Sequence, residues 1–438
     1  MSRAKDKAKN DAEVNSMISK LISEQHLQRW YNIAFEIYLT LTESHNDRNT
    51  VVCIPQVIAT LELFAQAADV NCRNYVREVI FPENFPLYSY NGNLSSYIEA
   101  WENSINEAAR PGIFRTQRKF LVHPCYSKSY GFETFMALKS LKTEIKILYH
   151  NAEKEFASWM KRMCKAEDVP EKLNPIEIWP SSTGKEYPQM INNRKCPIFI
   201  AVSHFEFPLE FNVLDREKVY ITSFQQIQGK SIDVYSCKLK MSHLFPFKFL
   251  KINSSSIISL PVSCDNLSVY IIDNYDALEI KTPEKLMEHI NSMNRAQINK
   301  SIKNLYLPLF FKFPEKTMNV GQALNSSVKE MDKLFQQNAF GDLAYDGSEP
   351  STVTSGRTVA NIQHYDYLEL MKLPELSEVE KPDVGRTDCV ICRPFAVIVW
   401  ENSKKIPLYI ARIGMPDRPN QEKKIEIRRL RNRIGKPS

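Results

Sequence analysis

The chain has 438 residues, of which 43% are hydrophobic and 25% are charged, and its formal net charge is +6. This is an ordinary globular composition, with ample apolar material for a large core. It argues against a membrane-spanning helix, because no run of about 18 residues is free of polar groups. The 12 glycines argue against a collagen-like or phosphate-cradling protein.

The first 24 residues are polar, and we expect this leader to be disordered. They contain no apolar segment of the kind that forms a secretory signal. The nine cysteines are scattered and odd in number, which is typical of reduced thiols. The sequence therefore predicts an intracellular protein of the cytoplasm or the nucleus.

Helices and strands follow one another through the first half of the chain. Apolar residues recur every three or four residues over Gln25–Leu41, which predicts a helix. The strand-like VVCI is followed by Pro55 and a long apolar run, as in a buried helix with proline in its first turn. A strand is predicted from Arg118, then a helix over Phe132–Leu141 and a strand over Glu144–His150.

The middle of the chain is rich in predicted strands. Cys196–Phe211 has the pattern of a buried strand, and Lys248–Asp273 alternates in two runs, which predicts a two-stranded hairpin. Thr282–Phe340 predicts a helix, a strand and a second helix in that order.

The clearest pattern begins at Val359. Apolar and polar residues alternate over Val359–Met371, which predicts a strand. Two apolar runs within Phe395–Ile413 predict a hairpin. Lys372–Arg393 lies between them and has two prolines, one glycine and many charges. This composition predicts an exposed loop without secondary structure, which we call the C-terminal loop.

The tail Asp417–Ser438 holds nearly the whole charge excess, with eight basic and three acidic residues and a net charge of +5. We expect it to be disordered and dispensable for stability. Because the rest of the chain is close to neutral, nucleic acid is expected as a partner only through this tail. The basic residues concerned are Lys423, Lys424, Arg428, Arg429, Arg431 and Arg433.

Residues that could carry chemistry are few. Cys389 and Cys392 form a CxxC motif, but zinc would need a second pair of ligands, and a redox motif would stand at the start of a helix. A structural role is therefore favoured for both cysteines. No phosphate-binding glycine motif and no nucleophile elbow is present. We expect His364 to be a hydrogen-bonded core residue, and the chain to have no enzymatic activity, no cofactor and no metal.

The chain from Gln25 to Pro416 resembles the serpin superfamily of protease inhibitors, as a divergent member. The matching residues are Pro55, Trp159, Phe205, His364, Pro394, Phe395 and Pro416. Ile54, Ala157, Cys164, Ala201 and Leu209 stand where the family has other residues. The resemblance implies a mixed α/β fold with three β-sheets, about nine helices and an exposed reactive-centre-like loop. It also implies one domain over residues 25–416, a monomer, and an extracellular location as an alternative.

In that family a protease cuts a bait bond in the loop, and the cut loop inserts as a new strand into the main sheet. Counting from His364, the family's hinge glycine falls on Pro374. Pro374 and Pro382 lack the N–H that a central strand needs. The charged residues between them oppose burial whichever face is chosen. The resemblance therefore implies a serpin fold without loop insertion.

Three hypotheses for function remain open. The favoured one is a non-inhibitory serpin that binds or regulates another protein through the C-terminal loop. The second is a working inhibitor of serine-type endopeptidases, with Arg386 between Gly385 and Thr387 as the bait residue. The third is a nuclear or nucleic-acid-associated factor that acts through the basic tail. The partner in the first two hypotheses is a protease or another protein, and no membrane is involved.

Overall fold

The periodic stretches of the sequence form regular elements in the computed structural model of the chain. The structure describes residues 24–44, 49–67, 80, 93–108, 112–122, 141, 143–147, 154–155, 158–159, 162, 198–209, 214–215, 218–241, 247–296, 302–310, 318–319, 361–369, 378–416 and 418. Several helices and 16 strands lie in this part of the chain.

The longer helices in the described residues are α1 (Glu24–Ser44), α2 (Ile54–Ala67), α3 (Asn93–Ala108) and α4 (Pro283–Arg295), and Tyr275–Leu278 forms a turn of 3-10 helix. α4 begins after Thr282, whose hydroxyl accepts a hydrogen bond from the Lys285 backbone N–H at 3.3 Å, with proline in the first turn. No helix in the described ranges is both long and apolar enough to cross a membrane.

A six-stranded antiparallel sheet holds much of the apolar core. Its strands in spatial order are β1 (Thr50–Cys53), β16 (Ile406–Ile413), β15 (Phe395–Glu401), β9 (Leu267–Asp273), β8 (Ser255–Leu260) and β7 (Lys248–Ile252). Every residue of β15 and β16 is buried. Because α1 packs on β1 and β16, its apolar face closes this core.

The main sheet has five strands in the order β11 (Met318–Asn319), β12 (Asn361–Glu369), β4 (Ile198–Glu206), β2 (Phe114–Val122) and β3 (Thr143–Ile147). β12 and β4 are parallel, and so are β2 and β3. Helices α2 and α3 lie against this sheet, α2 on β4 and α3 on β2. β12, the strand that precedes the C-terminal loop, is therefore an interior strand of this sheet.

A third sheet has the order β13 (Glu378–Glu380), β5 (Lys218–Gln225), β6 (Ser231–Lys240), β10 (Asn304–Pro308) and β14 (Asp388–Val390). The two edge strands, β13 and β14, both come from the C-terminal loop. The prediction that this loop lacks secondary structure is therefore wrong. Each strand is short and polar. β13 pairs in parallel with β5, and β14 pairs in parallel with β10, so each extends the edge of a longer strand.

Much of the predicted element order is confirmed. α1, β1, α2, β4, α4, β10, β12 and the β15–β16 hairpin lie where the periodicity places them. The mixed α/β class with three sheets is also confirmed. The helix predicted over Phe132–Leu141 lies outside the described residues except for Leu141, and the one predicted near the end of Thr282–Phe340 lies wholly outside them.

Other boundaries differ from the predictions. Lys248–Asp273 holds three strands and not two, because Asn253 adopts a left-handed backbone conformation with φ of 53° and turns the chain between β7 and β8. β2 begins four residues before Arg118. The helix α3 and the hairpin of β5 and β6 were not among the predicted elements.

Candidate functional site

The strand before the C-terminal loop is fully paired to its neighbour in the main sheet. β12 and β4 match at nine positions, from Asn361 opposite Ile198 to Glu369 opposite Glu206. We call this pairing the β12–β4 seam. The two strands are distant in sequence, so only their ladder and the side chains beneath it hold them together. His364, Asp366 and Leu368 alternate along β12 and are all buried.

His364 lies beneath the seam and contacts helix α2. Its Nε2 is 2.8 Å from the hydroxyl oxygen of Thr60. Burial lowers the pKa of His364 to about 3, and the nearby charge of Arg118 acts in the same direction. The imidazole is therefore neutral and hydrogen-bonded inside the core, a structural setting and not that of a proton-transfer catalyst.

Asp366 lies two residues further along the same face. The two oxygens of its carboxyl group accept hydrogen bonds from the Ser203 hydroxyl at 2.5 Å and from the Cys53 backbone N–H at 3.0 Å. Burial raises the pKa of Asp366 to about 7, although both hydrogen bonds and the charge of Arg118 oppose this shift. Asp366 thus joins β12, β4 and β1. It was not among the predicted site residues, although strand alternation from His364 was a signal that could have found it.

A buried ion pair lies under the neighbouring strand. The Arg118 guanidinium on β2 donates to Glu102 on α3 at 2.5 Å, and both side chains are at most 1% exposed. Thr116 donates to the other carboxylate oxygen of Glu102 at 2.6 Å, and Arg118 also donates to the Leu141 carbonyl at 2.7 Å. Because α3 was not predicted, sequence reasoning missed this pair.

The outer face of the main sheet carries a second charged cluster. Lys119 is buried and pairs with Glu144 at 2.9 Å and with Glu155 at 2.6 Å. Its ammonium lies 5.6 Å from the ring centre of Trp159, which is also buried. Trp159 and Glu155 are therefore held on the sheet by one lysine, and the hydrogen bond from that lysine lowers the pKa of Glu155.

The described part of the C-terminal loop, residues 378–393, is held by contacts at β13 and in a turn before β14. At β13, Glu380 pairs with Lys218 of β5 at 2.8 Å. Residues 385–388 form a β-turn in which the Asp388 N–H donates to the Gly385 carbonyl at 3.1 Å. The Asp388 carboxylate accepts from the Gly385 N–H at 3.0 Å and from Asn304 at 2.7 Å.

Solved structures share this overall fold. Native protease nexin-1, crystallised with heparin, is 14% identical, with a TM-score of 0.62 over 90% of this chain and 100% of that one. Human glycosylated kallistatin is 14% identical, with a TM-score of 0.61 over 91% of this chain and 100% of that one. The chain has the serpin fold. Mouse protein-Z dependent protease inhibitor is 13% identical, with a TM-score of 0.61 over 93% of this chain and 99% of that one.

Neither a family model nor a curated protein matches the sequence. The likeness therefore lies in the fold. The seam is closed here along the full length of β12.

The candidate bait residue Arg386 lies at the tip of the loop. Gly385, Arg386 and Thr387 are exposed, and Pro382 is half-buried. The Thr387 carbonyl accepts from the Lys303 N–H at 2.8 Å, which fixes the turn to β10. Arg386 therefore lies in a closed turn, exposed to solvent. Pro374 lies outside the described residues.

The CxxC pair lies at the end of the loop. Cys389 is on β14 and half-buried, which corrects its predicted place in a loop, and Cys392 is exposed. Burial raises the pKa of the Cys389 thiol to about 12, with a further contribution from Asp273, and it also raises the pKa of Cys392. Protonated thiols are poor nucleophiles and poor ligands. The described residues contain no group of three or more metal-ligating side chains.

The remaining residues that match serpins are buried at element ends. Pro55 is in the first turn of α2, and Phe205 at the end of β4 packs on Tyr409 with ring centres 5.7 Å apart. The Pro394 carbonyl accepts from the Tyr275 N–H at 3.2 Å, Phe395 is wholly buried, and Pro416 is buried beyond β16.

Of the basic tail, the structure describes only Arg418, which is exposed. Lys423, Lys424, Arg428, Arg429, Arg431 and Arg433 lie outside the described residues, as does most of the leader.

Proposed function

We propose that this chain is a non-inhibitory serpin-fold protein that binds and regulates another protein through its C-terminal loop and is not an enzyme. The observation that carries the proposal is the pairing of the loop with both edges of the third sheet, at β13 and β14. A loop used as bait and then as an inserted strand must be free to leave its neighbours. This loop has partners of its own.

The side chains of the loop support the same proposal. In an inserted strand, Glu378 and Glu380 would lie on one face and Lys381 on the other. Insertion would therefore bury a charge whichever face is turned toward the core. Leaving one charge buried without a partner costs about 3–5 kcal/mol. Pro382 adds a position without a backbone donor.

The exposed turn is the part of the loop that we propose as the contact element. Arg386 and Thr387 are exposed at its tip, and Val384 beside them is 50% exposed. The hydrogen bonds that close the turn hold its backbone in one conformation, so a partner that binds it pays little ordering entropy. Since two of the similar structures are named as a protease nexin and a protease inhibitor, a protease is the first partner to test.

We place this function inside the cell. The cysteines in the described residues, Cys53, Cys237, Cys264, Cys389 and Cys392, are all free thiols, as is usual for intracellular proteins.

Two measurements test the proposal. The chain is incubated with a panel of serine and cysteine proteases, and complexes are resolved by SDS electrophoresis. We expect cleavage within Lys372–Arg393 without an SDS-stable complex. A thermal melt before and after limited trypsin cleavage should show little change in Tm, because the cut ends do not form a new strand. Arg386→Gln, which removes the trypsin site in the turn, is the control for where cleavage occurs.

A stable complex with any protease, or a large rise in Tm after cleavage, would establish the working inhibitor instead. The double variant Pro374→Gly, Pro382→Ala shows whether the prolines or the charges prevent insertion of the cut loop. If the prolines alone prevent insertion, cleavage of this variant raises Tm, and if the charges also prevent it, Tm stays unchanged.

A further inference from the structure

The β12–β4 seam closes over an acid and a base on the same face of one strand. His364 and Asp366 are two residues apart on β12, and both are buried. His364 contacts Thr60 of α2, whereas Asp366 contacts Ser203 of β4 and the backbone of Cys53. Separating β12 from β4 therefore breaks the Asp366–Ser203 contact and exposes the face that both residues share.

The charged and titratable groups around this pair come from several elements. β1 contributes the Cys53 thiol and β16 the Tyr409 hydroxyl, and burial raises the pKa of both, so both are neutral. β2 contributes Arg118, whose charge is already paired with Glu102 of α3 at 2.5 Å. In the described part of the chain Asp366 has no ion-pair partner of its own.

We propose that the closed β12–β4 seam holds Asp366 and His364 as a matched neutral acid and neutral base, and that opening the seam charges both. On opening, the Asp366 carboxyl releases its proton to water. The His364 imidazole takes up one proton at Nδ1, the nitrogen that lacks a hydrogen-bond partner among the described residues. Opening then exchanges no net protons with solvent over the range in which both changes occur. This inference concerns the sheet and does not depend on the proposed partner binding.

The two residues act in opposite directions on the pH dependence of the seam. The pKa of Asp366 is raised from 3.8 to about 7, so its contribution to closure grows as the pH falls from about 7 to about 4. The pKa of His364 is lowered from 6.5 to about 3, so its contribution is lost as the pH falls from about 6.5 to about 3. Each changes the opening constant by about tenfold per pH unit, and the two changes cancel between about pH 4 and 6.5.

The test compares Asp366→Asn, His364→Gln and the double variant with the unmodified chain by chemical unfolding between about pH 5 and 7. Relative to the unmodified chain, Asp366→Asn should increase its unfolding constant on acidification, by about a hundredfold over two pH units at most. His364→Gln should show the opposite slope, and the double variant should run parallel to the unmodified chain. Asp383→Asn, an exposed carboxylate in the loop, is the matched control and should also run parallel.

Hydrogen exchange of the β12 amides locates the effect at the seam, and the same opposite slopes are expected there after correction for intrinsic exchange. Should either single variant fail to fold, Ser203→Ala is the second test. It removes a donor to the carboxylate, so the protonation of Asp366, followed by infrared difference spectroscopy, should move to higher pH. Slopes of the same sign in both single variants, profiles all parallel to the unmodified chain, or a move to lower pH in Ser203→Ala would overturn the proposal.

Discussion

The six-stranded sheet and the main sheet are built on different principles. In the six-stranded sheet, β15 and β16 are buried along their whole length and are made almost entirely of aliphatic and aromatic residues. In the main sheet, β12 carries a histidine and an aspartate into the interior, where each has a specific partner. The first sheet relies on the amount of apolar surface that it buries, and the second on individual contacts.

This difference has energetic consequences. Burying one aliphatic side chain contributes about 1.5–3 kcal/mol, and a neighbouring apolar residue can substitute for it in part. A buried polar group left without its partner costs about 1–3 kcal/mol, and an unpaired buried charge costs more. The six-stranded sheet should therefore tolerate conservative changes and collapse only when whole strands are lost. The main sheet should respond sharply to single polar substitutions.

The largest expected effect comes from deleting the hairpin. Truncation after Pro394 removes β15 and β16, which pair with β9 and β1 and cover α1. We expect no soluble, folded protein, measured by yield and by circular dichroism. Truncation after Pro416 is the control, because it removes only the basic tail, and this shorter chain should retain its Tm. Native-like circular dichroism from the first truncation would contradict the assignment of one domain over residues 25–416.

A smaller but still large effect is expected from the buried ion pair under β2. Glu102→Gln leaves the Arg118 guanidinium buried beside a neutral amide, and we expect a loss of about 3–5 kcal/mol in the free energy of unfolding. Glu107→Gln is the control, since Glu107 lies on the same helix and is exposed. The free energies are measured by urea denaturation.

A second variant separates charge burial from packing at this position. In Glu102→Gln with Arg118→Met the buried charge is gone, so most of the lost stability should return. Equal losses in Glu102→Gln and Glu107→Gln would show that the pair has no special role.

The contrast between the sheets also explains what the sequence could predict. The apolar runs within Phe395–Ile413 predict the hairpin, because strands buried on both faces need such runs. Asp366 was within reach, since alternation along β12 places it on the same face as His364. α3 was readable as well, because Leu94, Ile98, Trp101 and Ile105 recur at helical spacing.

Other features depend on tertiary contacts that no local pattern contains. Glu102 and Arg118 meet only because α3 packs under β2. β13 and β14 have three residues each and a polar composition, and they are strands only because β5 and β10 offer free edges. The prediction of an exposed loop holds for residues 383–387, which are exposed, and the prediction that the loop is unstructured is wrong.

The smallest expected effect concerns the anchor of β13. The ion pair between Glu380 and Lys218 is formed by side chains that are each 38% exposed, so solvent screens it, and it should contribute less than about 1 kcal/mol. Glu380→Gln should leave the free energy of global unfolding unchanged within error.

The local opening of β13 should nevertheless become more frequent, because the edge strand opens without unfolding the sheets. Initial cleavage by trypsin within Lys372–Arg393 should accelerate by up to about fivefold, the ratio that 1 kcal/mol allows. Asp215→Asn, which breaks the pair with Lys240 elsewhere on the third sheet, is the matched control and should leave that rate unchanged. A fall of several degrees in Tm for Glu380→Gln would mean that β13 belongs to the stable body of the fold, and the loop would then resemble the six-stranded sheet more than a removable edge.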